Sequence, residues 1–433
     1  MNSHSKKAGA LSVLYMGLGQ IYNKQYIKGI ILAAIETAFI IFMIPYIGRS
    51  IWGLITLGET PQRIVKGKVV QGDHSIFLMV LGIIGLMVAV VFLVLYLINV
   101  SDAYKVGKLR DKGKLANNFK TSISTLLDKG FPYLLLSPAF IFVLFLTVLP
   151  LIFGVMIAFT DYSGPNHLPP RVLVEWVGFD TFKSLFTMTA YKTTFIGVGL
   201  WTVIWAILAT ITSFFFGLVF AVLINSKGIQ IKKFWRTLYI LPWAMPSFIS
   251  ILIMRTIFNG QFGPVNKFLV SMGMEGLPWL SDANLAKTVC IMVNIWLSFP
   301  YYMAMMSGIL TGISKDLYEA AEVEGASESQ KFWKITIPLV MFAAAPLLIL
   351  GFTGNFNNFT LIYLINEGGP ANPDYQFAGG TDILLSWIYK LTLDNNKYNL
   401  ASVVSILIFI LIAVISIINF RRTKSFKEED MIQ

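Results

Sequence analysis

Cysteine is nearly missing from this chain. Cys290 is the only one among 433 residues, so neither an intrachain disulfide nor a thiolate metal cage can form. Histidine is almost as scarce, and His4, His74 and His167 fall in separate segments, which argues against a histidine-based metal site. Charged residues make up only 13% of the chain. A phosphate-cradling loop is absent too, since that motif needs Gly-Lys followed by Ser or Thr. Gly67-Lys68, Gly107-Lys108 and Gly113-Lys114 run on into Val69, Leu109 and Leu115 instead. The chain carries no P-loop ATPase of its own. No paired-carboxylate or metal-ligand spacing appears, so no catalytic residue is nominated and an integral-membrane enzyme such as a glycosyltransferase is disfavoured.

What fills the chain is apolar surface, at 56% of residues. A single soluble core could not hide that much. The apolar residues gather in eight blocks, at about 28–47, 76–100, 132–160, 193–224, 236–258, 285–310, 339–365 and 400–420. Each can cross a ~30 Å hydrocarbon layer as a helix. Lipid satisfies no backbone polar group, so such spans must bond internally. The expected fold class is all-α, a polytopic membrane protein with about eight transmembrane helices. Lys6 and Lys7 before the apolar stretch 8–18 faintly suggest a signal peptide, but Gly17, Gly19 and Gln20 break the stretch. A retained short helical or interfacial segment is expected there.

The net charge of +11 is better explained by topology than by nucleic acid, because Lys and Arg collect on the cytoplasmic side of membrane proteins. With both termini cytoplasmic, the inner segments hold 22 basic residues and the outer loops 10. Arg49, Arg63, Lys66 and Lys68 in the first outer loop are the exception to that asymmetry. The polar connector 101–131 separates two N-terminal spans, in 1–131, from a six-span core in 132–433. The apolar run Asp382 to Leu393 is too short to span and is expected to lie on the outer membrane surface. Glu36 is the one ionisable residue deep inside a predicted span. A structural hydrogen bond is expected of it, with ion coupling as the alternative.

The polar segment 311–338 between the sixth and seventh spans reads as a helix–turn–helix. Ser314 can cap a helix from Lys315, Gly325 can end it in a left-handed conformation, and Ser327 with Gln330 forms a capping box for a second helix. Glu319-Ala320-Ala321, then Gly325, then Ile335-Thr336-Ile337-Pro338 resembles the coupling-loop signature of binding-protein-dependent ABC importer permeases, with Ile337 where Leu is usual. Four further stretches look like the larger permease subunit of maltose/maltodextrin transporters. They are Leu241-Pro242-Trp243-Ala244-Met245-Pro246-Ser247-Phe248, Trp296-Leu297-Ser298-Phe299-Pro300-Tyr301, Asn355-Phe356-Asn357-Asn358-Phe359 and Glu367-Gly368-Gly369-Pro370. The segment 161–192 is short where some members of that group carry a large outer insertion.

The resemblance implies a sugar importer working with a second related permease, an ATPase dimer and an external solute-binding protein. No cofactor is expected in this chain, and ATP and magnesium would sit on the ATPase partner. The setting implied is the bacterial plasma membrane and its lipid. For the solute, Gly351, Gly354, Asn355 and Asn358 share a helix face by three- and four-residue spacing. Trp296 lies mid-span in the sixth helix, and Trp243 sits between two prolines that should disturb the fifth. Neutral amides and aromatic faces suit a neutral polyhydroxylated solute, though by spacing alone the amides could equally bond neighbouring helices. With the resemblance, Trp243, Trp296, Ser298, Gly351, Gly354, Asn355 and Asn358 are the expected solute residues. Asn357 keeps the structural reading. The alternatives are an ABC permease for another solute, or an ion-coupled secondary transporter involving Glu36.

Overall fold

The computed structural model describes residues 3–66, 68–115, 119–168, 171–226 and 228–422. Among them, seven helices are long and apolar enough to cross a membrane, and an eighth candidate is a helix pair bent by 89°. They are Tyr26–Thr56, Ser75–Asp111, Phe131–Ile157, Thr189–Asn225, the pair Lys232–Ala244 with Ser247–Ile257, Ala283–Gly312, Glu328–Asn366 and Tyr398–Ile418. These coincide with all eight apolar blocks. The chain divides into two compact units, Met1–Gly178 and Phe179–Gln433, so the third span belongs to the first unit.

In the first unit, the segment before the first span folds into two short helices, His4–Leu14 and Leu18–Tyr22. The first is fastened to the far end of the second span. Asp111 accepts from the backbone N–H groups of His4 and Ser5, at 2.7 and 3.1 Å, and so neutralises donors that a helix start leaves free. Glu36 is buried and accepts the backbone N–H of Met16 at 2.5 Å. This is the structural hydrogen bond expected of it. The basic loop between the first two spans forms a two-stranded hairpin, Arg63–Val65 with Lys68–Val70.

Three spans contain a single π turn, and each turn ends two residues before a proline. The turns are Phe39–Met43 before Pro45, Leu144–Val148 before Pro150, and Phe332–Thr336 before Pro338. A proline has no N–H and its ring crowds the carbonyl four residues back. Widening the preceding turn relieves that crowding without ending the helix.

In the second unit the fourth span packs along the sixth. Ala206, Thr210, Ser213, Gly217 and Ala221 recur every three or four residues and are all buried. This small-residue seam lets the two backbones approach, as membrane helices do where lipid offers no hydrophobic drive. At Gly217 a side chain would collide with the Cβ of Tyr302 and the backbone of Met303. Trp201, Trp205, Ile251, Val289, Val293, Leu361, Ile362 and Ile383 form one core at this contact.

The apolar run 382–393 departs from expectation. It forms the helix Leu384–Tyr389 and a π turn Lys390–Asp394. Ile383, Leu384, Trp387 and Leu391 are all at most 2% exposed, inside the protein rather than on a membrane surface. Asp382 anchors this loop by accepting from Gly379 N–H, Ser386 Oγ and Lys390 Nζ, at 2.6, 2.7 and 2.5 Å. Burial pushes the Asp382 carboxyl above its ordinary range, against the pull of the Lys390 ammonium.

Candidate functional site

The segment after the sixth span folds as two short helices. Ser314 Oγ accepts Asp316 N–H at 3.2 Å and opens the helix Lys315–Val323. That helix closes with the N–H of Ala326 on the carbonyl of Ala321 and the N–H of Gly325 on that of Glu322, the Schellman pattern. Gly325 accordingly has φ of 77°. The capping box is complete, with Ser327 N–H on Gln330 Oε1 at 2.8 Å and Gln330 N–H on Ser327 Oγ at 3.3 Å. Glu319 and Ala320 are exposed, Ala321 and Ile335 half-buried, and Pro338 exposed at the start of the next helix. Leu317 and Val323 are 47% and 90% exposed, so the first short helix presents apolar side chains uncovered in this chain.

Two ties hold the hairpin closed, and neither carries a local signature in the sequence. Tyr318 Oη lies 2.9 Å from Thr336 Oγ1 across the turn. Lys331, only 5% exposed, bonds Glu322 at 2.7 Å and Glu328 at 2.5 Å. These contacts hold the hairpin as a shaped body rather than a loose connector.

A second constellation lies between the fourth, sixth and seventh spans. The helix Ile337–Phe356 ends at Asn357, and Asn358 caps a new helix, Phe359–Asn366, by accepting Leu361 N–H at 3.3 Å. The helical face expected to run from Gly351 to Asn358 therefore breaks before its last member. Asn355 Nδ2 donates to Thr210 Oγ1 at 2.9 Å, while its backbone carbonyl accepts Trp205 Nε1 at 2.9 Å. Asn358 Nδ2 donates to Asn294 Oδ1 at 3.4 Å. Asn294, 1% exposed, donates in turn to Ser213 Oγ at 3.2 Å and the carbonyl of Ala209 at 3.4 Å. Asn357 donates to Thr353 O within its own helix.

The amides thus form a polar ladder across three spans, and both Asn355 and Asn358 remain partly accessible. Gly351 packs against the Tyr302 hydroxyl, whereas nothing lies within 4 Å of a side chain at Gly354. Thr210, Ser213, Asn294 and Tyr302 were not singled out from the sequence. No local pattern in the sequence sets them apart. Replacing Asn294 by Leu should strand the Asn358 and Ser213 partners and cost about 1–3 kcal/mol. A lower thermal unfolding temperature of the purified protein would register that cost; an unchanged one would mean the ladder relaxes around the loss.

The aromatic residues face other ways. Trp243, 59% exposed, stands at the break of the bent fifth span with its ring 6.2 Å from that of Tyr301. The irregular backbone expected between Pro242 and Pro246 is there. Trp296, 43% exposed, lies two residues beyond buried Asn294, about 200° around the helix. Ser298 is half-buried. Trp243, Trp296 and Gly354 thus lie on surfaces left open in this chain, while Gly351, Asn355 and Asn358 meet its own fourth and sixth spans. Arg255 pairs with Glu367 at 3.4 Å, and Lys287 lies 4.7 Å above the Trp201 ring.

Residues 213–422 match the model of the family described as "Binding-protein-dependent transport system inner membrane component". The chain is 41% identical to the galactooligosaccharides transport system permease protein GanP of Bacillus subtilis, over 98% of this chain and 99% of that one. It is 38% identical to the maltodextrin transport system permease protein MdxF of the same organism, over the whole of both. Among solved structures, a bacterial ABC transporter involved in import of the acidic polysaccharide alginate has a chain similar to this one, with TM-score 0.57 and 22% identity. That match covers 70% of this chain and 99% of the other.

Proposed function

The chain belongs to the family of binding-protein-dependent transport system inner membrane components, and from that premise we propose that it is the permease subunit of an ATP-driven oligosaccharide importer. The observation that carries this reading is the end-to-end likeness to two permeases named for oligosaccharides, one for maltodextrin and one for galactooligosaccharides. A maltodextrin or a galactooligosaccharide is the proposed cargo. The chain changes no bond in it.

Its partners are a second, related permease, two ATPase subunits that bind ATP and magnesium, and an external solute-binding protein. The hairpin 311–338 docks on an ATPase subunit through the side chains around Glu319, Ala320 and Ala321. When the ATPases close, the tied hairpin moves as one body and rocks the spans it joins. The six-span core 132–433 forms half of the pathway, and 1–131 is an extension of it. Trp243 and Trp296, uncovered in this chain, cover apolar sugar faces. Asn355 and Asn358 exchange hydrogen bonds with sugar hydroxyls using the capacity their ladder leaves free. The protein lies in the bacterial plasma membrane with both termini cytoplasmic.

Tagged protein purified from its native membrane tests the partners. An ATPase chain and a second permease should copurify, with ATP hydrolysis stimulated by the sugar-loaded binding protein. Isolation of this chain alone, from membranes that retain uptake, would refute the assembly. Topology is read by single cysteines in a Cys290→Ala background, which removes a buried thiol. Cysteines at Ser163 and Ser281 should react with an impermeant reagent on intact cells, and one at Ser327 should not. Labelling at Ser327 would place the hairpin outside and end the coupling proposal.

A further inference from the structure

Within the first unit, a cavity of about 410 Å³ opens where the first span begins and the helix Phe119–Lys129 leads into the third span. Its wall includes Lys24, Tyr26, Lys28, Phe119, Lys120 and Ser122, and none of these is acidic. Lys28 is already matched by Asp102 at 2.8 Å. Lys24 and Lys120 have no ion-pair partner among the described residues, so the cavity carries uncompensated positive charge. The first turn of the span is part of the same wall, and Gln25 gives it no side-chain cap. Its N–H end adds to the positive potential.

The surface leading away from the cavity is apolar. Ile27, Ile30, Ile31 and Ile35 are 56%, 62%, 44% and 46% exposed along the first span. A basic, hydroxyl-bearing cavity at the end of a span, continuous with an uncovered isoleucine stripe, matches a ligand with an anionic head and apolar tails. We infer that this cavity is a headgroup site for an anionic phospholipid, with Lys24 and Lys120 on the phosphodiester and the acyl chains along the isoleucine stripe. Basic pockets between spans are suited to such headgroups. Tyr26 and Ser122 supply hydroxyl donors to the remaining phosphate oxygens.

The test uses the full chain purified in detergent with its copurifying partners, titrated with palmitoyl-oleoyl phosphatidylglycerol or phosphatidylcholine and read by native mass spectrometry. Phosphatidylglycerol should bind saturably and phosphatidylcholine should not. In K24Q/K120Q the affinity should fall roughly thirtyfold, each basic group near an anionic surface contributing about fivefold. K24R/K120R should keep it, and K105Q/K108Q, at exposed basic positions outside the cavity, should bind as wild type. Unchanged binding in K24Q/K120Q overturns the site, and so does equal loss in K24R/K120R, which would make shape rather than charge the cause. Glycerol 1-phosphate competing as well as the lipid would assign the cavity to a soluble phosphate and overturn the lipid reading.

Discussion

Replacing Gly325 by valine should lower ATP-driven uptake at least tenfold while leaving the protein in the membrane. Gly325 holds φ of 77°, and nothing lies within 4 Å of where a side chain would go. The penalty is therefore conformational and not steric, about 1–3 kcal/mol for a residue forced into the left-handed region. A β-branched residue tolerates that region worst. Relieving the strain means opening the turn, which pulls the Tyr318–Thr336 tie and the Lys331–Glu322 ion pair apart. The ATPase should then bind weakly, or hydrolyse ATP without uptake. Gly325→Asn is the control, because asparagine visits the left-handed region far more readily. It should recover most of the uptake. Full activity in a normally expressed Gly325→Val protein would mean that this turn does not couple the two motions.

The second large effect is expected at Asn355. Asn355→Leu removes its amide, yet its partner Thr210 keeps a bond to the Ala206 carbonyl at 2.7 Å. Folding should lose little. If the amide also meets the solute, the lost pairing leaves a sugar hydroxyl dry at about 1–3 kcal/mol, or roughly a tenfold to hundredfold loss of uptake at low sugar. Asn358→Leu is a different experiment. It deletes the cap of Phe359–Asn366, worth about 0.5–2 kcal/mol, and leaves the buried Asn294 carbonyl oxygen without that donor. That variant should lose thermal stability together with transport. Reduced uptake with an unchanged melting temperature in Asn355→Leu, beside parallel losses in Asn358→Leu, would separate a solute role from a helix-bonding one. Wild-type uptake kinetics in Asn355→Leu would remove that residue from the pathway.

The spans were legible because lipid imposes a length and a composition on any helix that crosses it. Even the bend in the fifth span was announced by Pro242 and Pro246. The hairpin was legible because caps and left-handed stops are local, spanning three or four residues at Ser314, Gly325 and Ser327. What escaped was non-local. The run 382–393 is apolar either because it meets lipid or because it meets protein, and composition does not distinguish the two. Its burial depends on pairings with the fourth span, such as Leu384 N–H on Thr202 Oγ1 and Trp201 Nε1 on the carbonyl of Thr381. The polar ladder escaped for the same reason, since Asn294 and Thr210 are unremarkable until Asn358 and Asn355 are brought beside them. Periodicity also misjudged Asn358, because nothing in the helical spacing announces a break at Asn357.

Uptake of radiolabelled oligosaccharide tests the central claim most directly. Vesicles would contain this chain, its copurified permease and ATPase, with ATP sealed inside and the loaded binding protein outside. Maltodextrin or galactooligosaccharide should accumulate unaltered, only with hydrolysable ATP and with no imposed ion gradient. Accumulation that survives loss of the ATPase and follows a proton or sodium gradient would contradict the account.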